Sequence, residues 1–296
     1  MTVLVREIAR AKVNLTLEIL GRRPDGYHEL ASLVVFADVG DVVSLNADKP
    51  IAVTMSGPFA DGVKGDNIVS TTLDRLARQL PELKLGAVNI EKQLPVAAGL
   101  GGGSANAAAV LRAILRLNPE HHQNLDWYTF AESLGADVPV CLANTAKWMT
   151  GVGVVLTDVP QCEALPLHAV LVNPMSEVPP DKTAQVFQVL AARPLGDNLR
   201  PRVSPEDYNL GTFEDVVAFA GRGGNDLERP AAQTVPAIVD VLDVLRAVEG
   251  CGFAAMSGAG PTCFGLFATQ GAAQRAASHV ALNQPDWWVC PTVLRS

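Results

Sequence analysis

The sequence predicts an α+β protein of two domains. Three observations carry that expectation. The chain has 296 residues, and a domain takes about 100–200. Strand-like and helix-like stretches follow one another in blocks, without the regular strand–helix alternation of a doubly wound sheet, so largely antiparallel sheets are expected. A fresh pattern of elements starts near Pro160, which sets the expected domains at residues 1–159 and 160–296.

From Lys12 to Ile19 apolar and polar residues alternate strictly. Period two predicts a half-buried strand with Lys12 and Asn14 on its polar face. Pro24-Asp25-Gly26 is a turn signal. Strand-like runs follow at Leu33–Phe36, Val42–Leu45, Ile51–Met55 and Ala87–Ile90. Asn67 can cap a helix that runs to Leu80, before Pro81. Ser104–Leu117 carries a second helix, and Asp126 can cap a third that ends at Leu134-Gly135. Further on come a strand at Ala169–Val172, a proline-rich stretch from Pro174 to Pro180, and a helix at Pro236–Glu249 with Gly250 past its end. Strands at Ala254–Met256 and Cys263–Phe267, a helix near Ala272–Leu282 and a strand near Trp287–Leu294 complete the pattern.

Composition narrows the function. Hydrophobic residues make up 48% and charged residues 18%, enough for a buried core. Lys plus Arg number 23 and Asp plus Glu 31, so the net charge is 23 − 31 = −8. That balance disfavours a nucleic-acid partner, which needs clustered basic charge. Five cysteines, an odd number with no CxxC spacing, predict single thiols in a reducing compartment. No apolar run is long enough to span a bilayer, and the charged N-terminus lacks a signal-peptide core. A cytoplasmic protein with no membrane partner is expected.

The most informative segment is Pro95-Val-Ala-Ala-Gly99-Leu100-Gly101-Gly102-Gly103-Ser104-Ala105. It follows a strand and opens a helix. Glycines let the backbone approach a ligand closely, and successive amides at a helix N-terminus bind anions. Phosphate binding follows. A Walker loop would need a lysine after the glycines, and the dinucleotide fingerprint would need Gly or Ala where Ser104 stands, so a nicotinamide-dependent oxidoreductase is disfavoured.

Pro-x3-Gly-Leu-Gly-Gly-Gly-Ser-Ala resembles the phosphate loop of the GHMP small-molecule kinases, named for galactokinase, homoserine, mevalonate and phosphomevalonate kinases. Other stretches fit the same family in order. They are Ala11-Lys12-Val-Asn14, Arg23-Pro-Asp25-Gly26-Tyr27-His28, Gly135-Ala-Asp137-Val-Pro139, Gly224-Asn225-Asp226-Leu-Glu228 and Met256-Ser-Gly-Ala-Gly260. The Asp-Gly-Tyr-His and Gly-Ala-Asp-Val-Pro segments favour the branch that acts on a cytidyl-diphospho sugar alcohol. The resemblance implies the two-domain GHMP fold with an active site in the inter-domain cleft. It also implies transfer of phosphate from ATP, with Mg²⁺, to the 2-hydroxyl of 4-diphosphocytidyl-2-C-methyl-D-erythritol. A homoserine- or mevalonate-type kinase and a catalytically silent ATP-binding relative are the rivals.

The resemblance also implies roles. Asp137 is the expected base and Lys12 its electrostatic partner. Lys92, Pro95, Gly99, Leu100, Gly101, Gly102, Gly103, Ser104 and Ala105 are expected at the ATP phosphates, with Ser104 also the candidate Mg²⁺ ligand. Asn14, Tyr27, His28 and Phe187 are expected at the substrate, with Tyr27 stacking on the base, His28 hydrogen-bonding its edge and Phe187 closing the other side. Asp226 is expected to order structure. Two departures stand out: Ala97 and Ala98, where the family often has glycine, and apparent extra residues after Pro174.

Overall fold

The computed structural model describes residues 4–63, 67–159, 166–197 and 199–295. In chain order the elements are β1 (Leu4–Asn14), β2 (Glu18–Arg22), β3 (His28–Asn46), β4 (Ala52–Ser56), α1 (Ile68–Gln79), β5 (Ala87–Glu91), α2 (Gly102–Leu117), α3 (Trp127–Glu132), α4 (Val138–Ala143), β6 (Lys147–Gly151), β7 (Val155–Asp158) and β8 (Leu167–Asn173). Then follow α5 (Lys182–Leu190), α6 (Phe213–Gly223), α7 (Glu228–Thr234), α8 (Ala237–Ala247), β9 (Cys251–Met256), β10 (Cys263–Phe267), α9 (Gln270–Asn283) and β11 (Trp288–Arg295). The start of the second pattern near Pro160, like Cys162, lies outside the described residues.

The chain forms two compact units that interleave along the sequence. The first comprises Met1–Ala11, Val39–Val96 and Gly101–Asn144. Here β4 and β5 run parallel, and β5 runs antiparallel to the later half of β3, with Val43 opposite Ile90. α2 buries Ala105, Ala107, Ala108, Val110, Leu111 and Ile114 against α1 and α4. Its many alanines let those helices approach closely. Asn67 caps α1 by accepting from the Val69 N–H, and Asp126 caps α3 by accepting from Tyr128 and Thr129. Such a cap contributes about 1 kcal/mol.

The second unit comprises Lys12–Asp38, Ala97–Leu100 and Thr145–Ser296. The first half of β3 pairs antiparallel with β2 and β6, and β6 with β7. β11, β8, β10 and β9 continue in antiparallel order. β8 is buried on both faces, which explains its unbroken Ala169–Val172 run. Val170, Val172, Val186, Ile238, Leu245, Met256, Phe267 and Val280 form the core under α5, α8 and α9.

Three local expectations change. The run from Lys12 to Ile19 is not one strand, because β1 ends at Asn14 and β2 starts at Glu18. β3 is one continuous strand of 19 residues where two short ones are expected. The Lys12–Glu18 segment is buried on both faces, with Lys12 4% and Asn14 1% exposed, so its polar face is not a solvated one.

Candidate active site

Every carbonyl oxygen from Ala97 to Leu100 is engaged from elsewhere in the second unit. Lys182 Nζ donates to Ala97 O at 3.2 Å, Thr262 N–H to Ala98 O at 3.0 Å, Ser257 Oγ to Gly99 O at 3.1 Å, and Lys12 N–H to Leu100 O at 2.9 Å. Carbonyl dipoles repel phosphate, so a loop whose carbonyls are tied back presents its amides instead. Gly99 lies so close to the second glycine segment that a Cβ there would stand 2.5 Å from Ser257 O and 2.8 Å from Gly260 O. Its φ of +79° adds a second reason for glycine. The second segment is held in turn by Asn225, whose Nδ2 donates to Met256 O and Gly258 O.

Gly101, with φ +64°, is the N-cap of α2, and its carbonyl accepts from the Ala105 N–H at 2.8 Å. The amides of Gly102, Gly103 and Ser104 precede that first intrahelical bond, as the opening amides of any helix do. Pro95, Leu100 and Ala105 are buried, whereas Gly101, Gly102 and Ser104 are half-buried and Gly103 is exposed. Lys92 is also buried and ion-paired with Asp41, whose other oxygen accepts from the Gln93 and Leu94 amides. The Lys92 charge is therefore offset. Its Nζ stands 3.7 Å from the place a Cβ on Gly102 would take.

Asn14 N–H donates to Ser257 Oγ and Asn14 Nδ2 to Ser32 Oγ. The Asn14 side-chain oxygen is buried without a hydrogen-bond partner. Asp137, in the first unit, is half-buried at the N-cap of α4. Its carboxylate does not cap that helix, although capping is the commonest work for an aspartate there. Gly135 O accepts from Val138 N–H, and Pro139 in the first turn needs no acceptor, so the bend and α4 form without it.

The Pro24-Asp25-Gly26 turn is closed by Gly26 N–H to Arg23 O and Tyr27 N–H to Asp25 Oδ1. Tyr27 is 65% exposed beside it. Phe187 stacks on His28, centroids 4.6 Å apart. Desolvation, helped by the Arg22 charge, holds the His28 imidazole below its usual range. Phe187 thus stacks on the histidine of the Tyr27-His28 pair. Asp226 orders structure as expected, accepting from Ile19 N–H and pairing with Arg202.

Of the residues around the loop, Ser257 lies in residues 256–261, which the resemblance implies is a second glycine loop flanking substrate and phosphates, and Asn225 lies in another family-like stretch; Lys182 and Thr262 carry no sequence signal. Among the described residues, no group of three or more His, Cys, Asp or Glu is placed to hold a metal ion, and no helix is long and apolar enough to cross a membrane.

Known proteins resemble this chain over its whole length. The family model described as GHMP kinases N terminal domain matches residues 67–145, and that described as GHMP kinases C terminal matches residues 209–285. A Methylobacterium radiotolerans protein named 4-diphosphocytidyl-2-C-methyl-D-erythritol kinase is 44% identical over 297 residues, covering 99% of both chains. A crystal structure of 4-(cytidine 5'-diphospho)-2C-methyl-D-erythritol kinase matches with a TM-score of 0.73 and 28% identity, covering 99% of this chain and 100% of that one. A homoserine kinase from Cytophaga hutchinsonii, 21% identical over 99% of this chain and 96% of its own, shares the fold at a TM-score of 0.66.

Proposed function

Because this chain belongs to the GHMP kinase family, we propose that it transfers the γ-phosphoryl group of ATP to the 2-hydroxyl of 4-diphosphocytidyl-2-C-methyl-D-erythritol, releasing ADP. The observation that carries the reading is the segment Ala97–Leu100, whose carbonyls are each tied back beside the opening amides of α2. That arrangement suits a polyphosphate held by backbone rather than by a basic surface. It fits a chain of net charge −8. The relatives' shared name supplies the substrate, and His28 with Phe187 and Tyr27 offers flat and hydrogen-bonding surfaces for a cytosine.

Phosphoryl transfer asks the protein mainly for position and charge. Asp137 takes the proton of the attacking hydroxyl, whose oxygen forms the new bond to the γ-phosphorus as the bond to the ADP oxygen breaks. The Lys12 ammonium, in the second unit, supplies positive charge that orients the alcohol. Gly99 to Ala105 cradle the phosphates. The Ser104 hydroxyl, at the first turn of α2, is the protein oxygen that would hold Mg²⁺. The ion, when bound, would neutralise charge developing on the transferred phosphate.

Asp137→Asn tests the assignment. ATP should bind with unchanged affinity while turnover falls by at least about 10²-fold, the scale of a general base's contribution. Turnover within a few fold of the unsubstituted chain would remove Asp137 from the mechanism.

A further inference from the structure

Lys182 opens α5 with its side chain buried. Its ammonium donates to the carbonyl oxygen of Ala97 on the phosphate loop and to that of Gly260 on the second glycine segment. Both acceptors are neutral, and no ion pair among the described residues includes Lys182. Taking an ammonium out of water without a counter-charge is costly, and burial pushes this one down to about 8. Neither residues 94–107 nor residues 257–262 contain a Lys or Arg. Lys92, which approaches Gly102, already has Asp41 as its counter-ion. Lys182 therefore brings an unbalanced positive charge against the back of the loop.

We propose that Lys182 is a positioning residue for phosphate binding: it ties the carbonyls of the two glycine segments back together and holds a charge that the polyphosphate of the nucleotide balances. This rests on the reading that the loop holds ATP. Two effects follow from one side chain. The tie to Ala97 and Gly260 keeps the amides turned outward before ligand arrives, so less ordering is needed on binding. The ammonium adds a favourable field that only the phosphate-bearing part of the nucleotide meets.

The test compares a non-hydrolysable magnesium–ATP analogue with adenosine, each titrated into the full chain and its Lys182→Met and Lys182→Gln variants. Lys182→Met should weaken the analogue by about tenfold or more, the scale of a charge-assisted hydrogen bond, and change adenosine less than about twofold. Lys182→Gln keeps an amide donor without the charge, and should lose affinity for the analogue by a smaller factor. Equal losses for both ligands, or no loss for either, would overturn the proposal. If Lys182→Met has no thermal transition, the Lys182→Gln comparison decides on the same criteria. Failure of the unsubstituted chain to bind the analogue would instead refute ATP binding by this loop, and is seen before any variant is made.

Discussion

The rings of His28 and Phe187 stack with their centroids 4.6 Å apart and their planes 26° from parallel. One stands at the start of β3 and the other on α5, so the second unit's tertiary structure makes the pair. If it forms one wall of the cytosine site, Phe187→Ala removes a stacking surface and frees the imidazole it orders. Stacking on a base is worth about 1–3 kcal/mol, so KM for the cytidyl substrate should rise by roughly fivefold to somewhat over a hundredfold. KM for ATP should stay put. Steady-state kinetics with each substrate varied in turn decides the matter, and a rise for ATP alone would place the pair elsewhere.

Gly99 has no room for a side chain. A Cβ would press on Ser257 O and Gly260 O, both backbone atoms, at an unfavourable φ. Gly99→Ala should therefore part the loop from the second segment, with ATP binding lost and stability lowered by more than about 1 kcal/mol. Denaturant unfolding and nucleotide titration check both. An alanine variant that binds ATP normally contradicts the close approach.

Ala97 is the converse case. It holds φ +55°, a left-handed conformation that costs an alanine about 1–2 kcal/mol. Glycine there loses more chain entropy on folding, by about 0.5–1 kcal/mol, which offsets part of the gain. Ala97→Gly should stabilise by roughly 0.5–1 kcal/mol, read as a higher denaturant midpoint at unchanged slope. A lower midpoint would show that the methyl group packs usefully.

Lys182 makes stability depend on pH in an unusual direction. Burial lowers its folded-state value to about 8 from the ordinary 10.5. Between those two values the unfolded chain binds more protons than the folded one, so stability contributed at this site rises with pH across that window. Below about 8 both states are protonated and the burial cost is fully present. The difference in unfolding free energy between the native chain and Lys182→Met should therefore shift in favour of the native chain from pH 8 towards 10. A flat difference would mean that the ammonium is not desolvated.

Most of the first unit's helices were legible because their signals are local. The glycine cluster, its helix and the Asn67 and Asp126 caps all lie within a few residues of the signals that announce them. β10 runs over the expected Cys263–Phe267. The GHMP resemblance is borne out by the family and whole-length matches. What stayed hidden depends on distant partners. α5 follows a proline-rich stretch that reads as loop, and α4 is six residues with Pro139 in its first turn. Lys182 looks like any helix-opening lysine until Ala97 and Gly260, 85 and 78 residues away, fold against it. The polar face of the Lys12–Glu18 run reads as solvated because alternation reports pleat, not what covers each face.

The most direct measurement is ADP release by the purified chain with ATP, magnesium and each of 4-diphosphocytidyl-2-C-methyl-D-erythritol, homoserine and mevalonate. Rapid release with the cytidyl compound alone, with the product carrying its new phosphate on the 2-hydroxyl, is the expected result. Release with homoserine or mevalonate and none with the cytidyl compound would contradict the account.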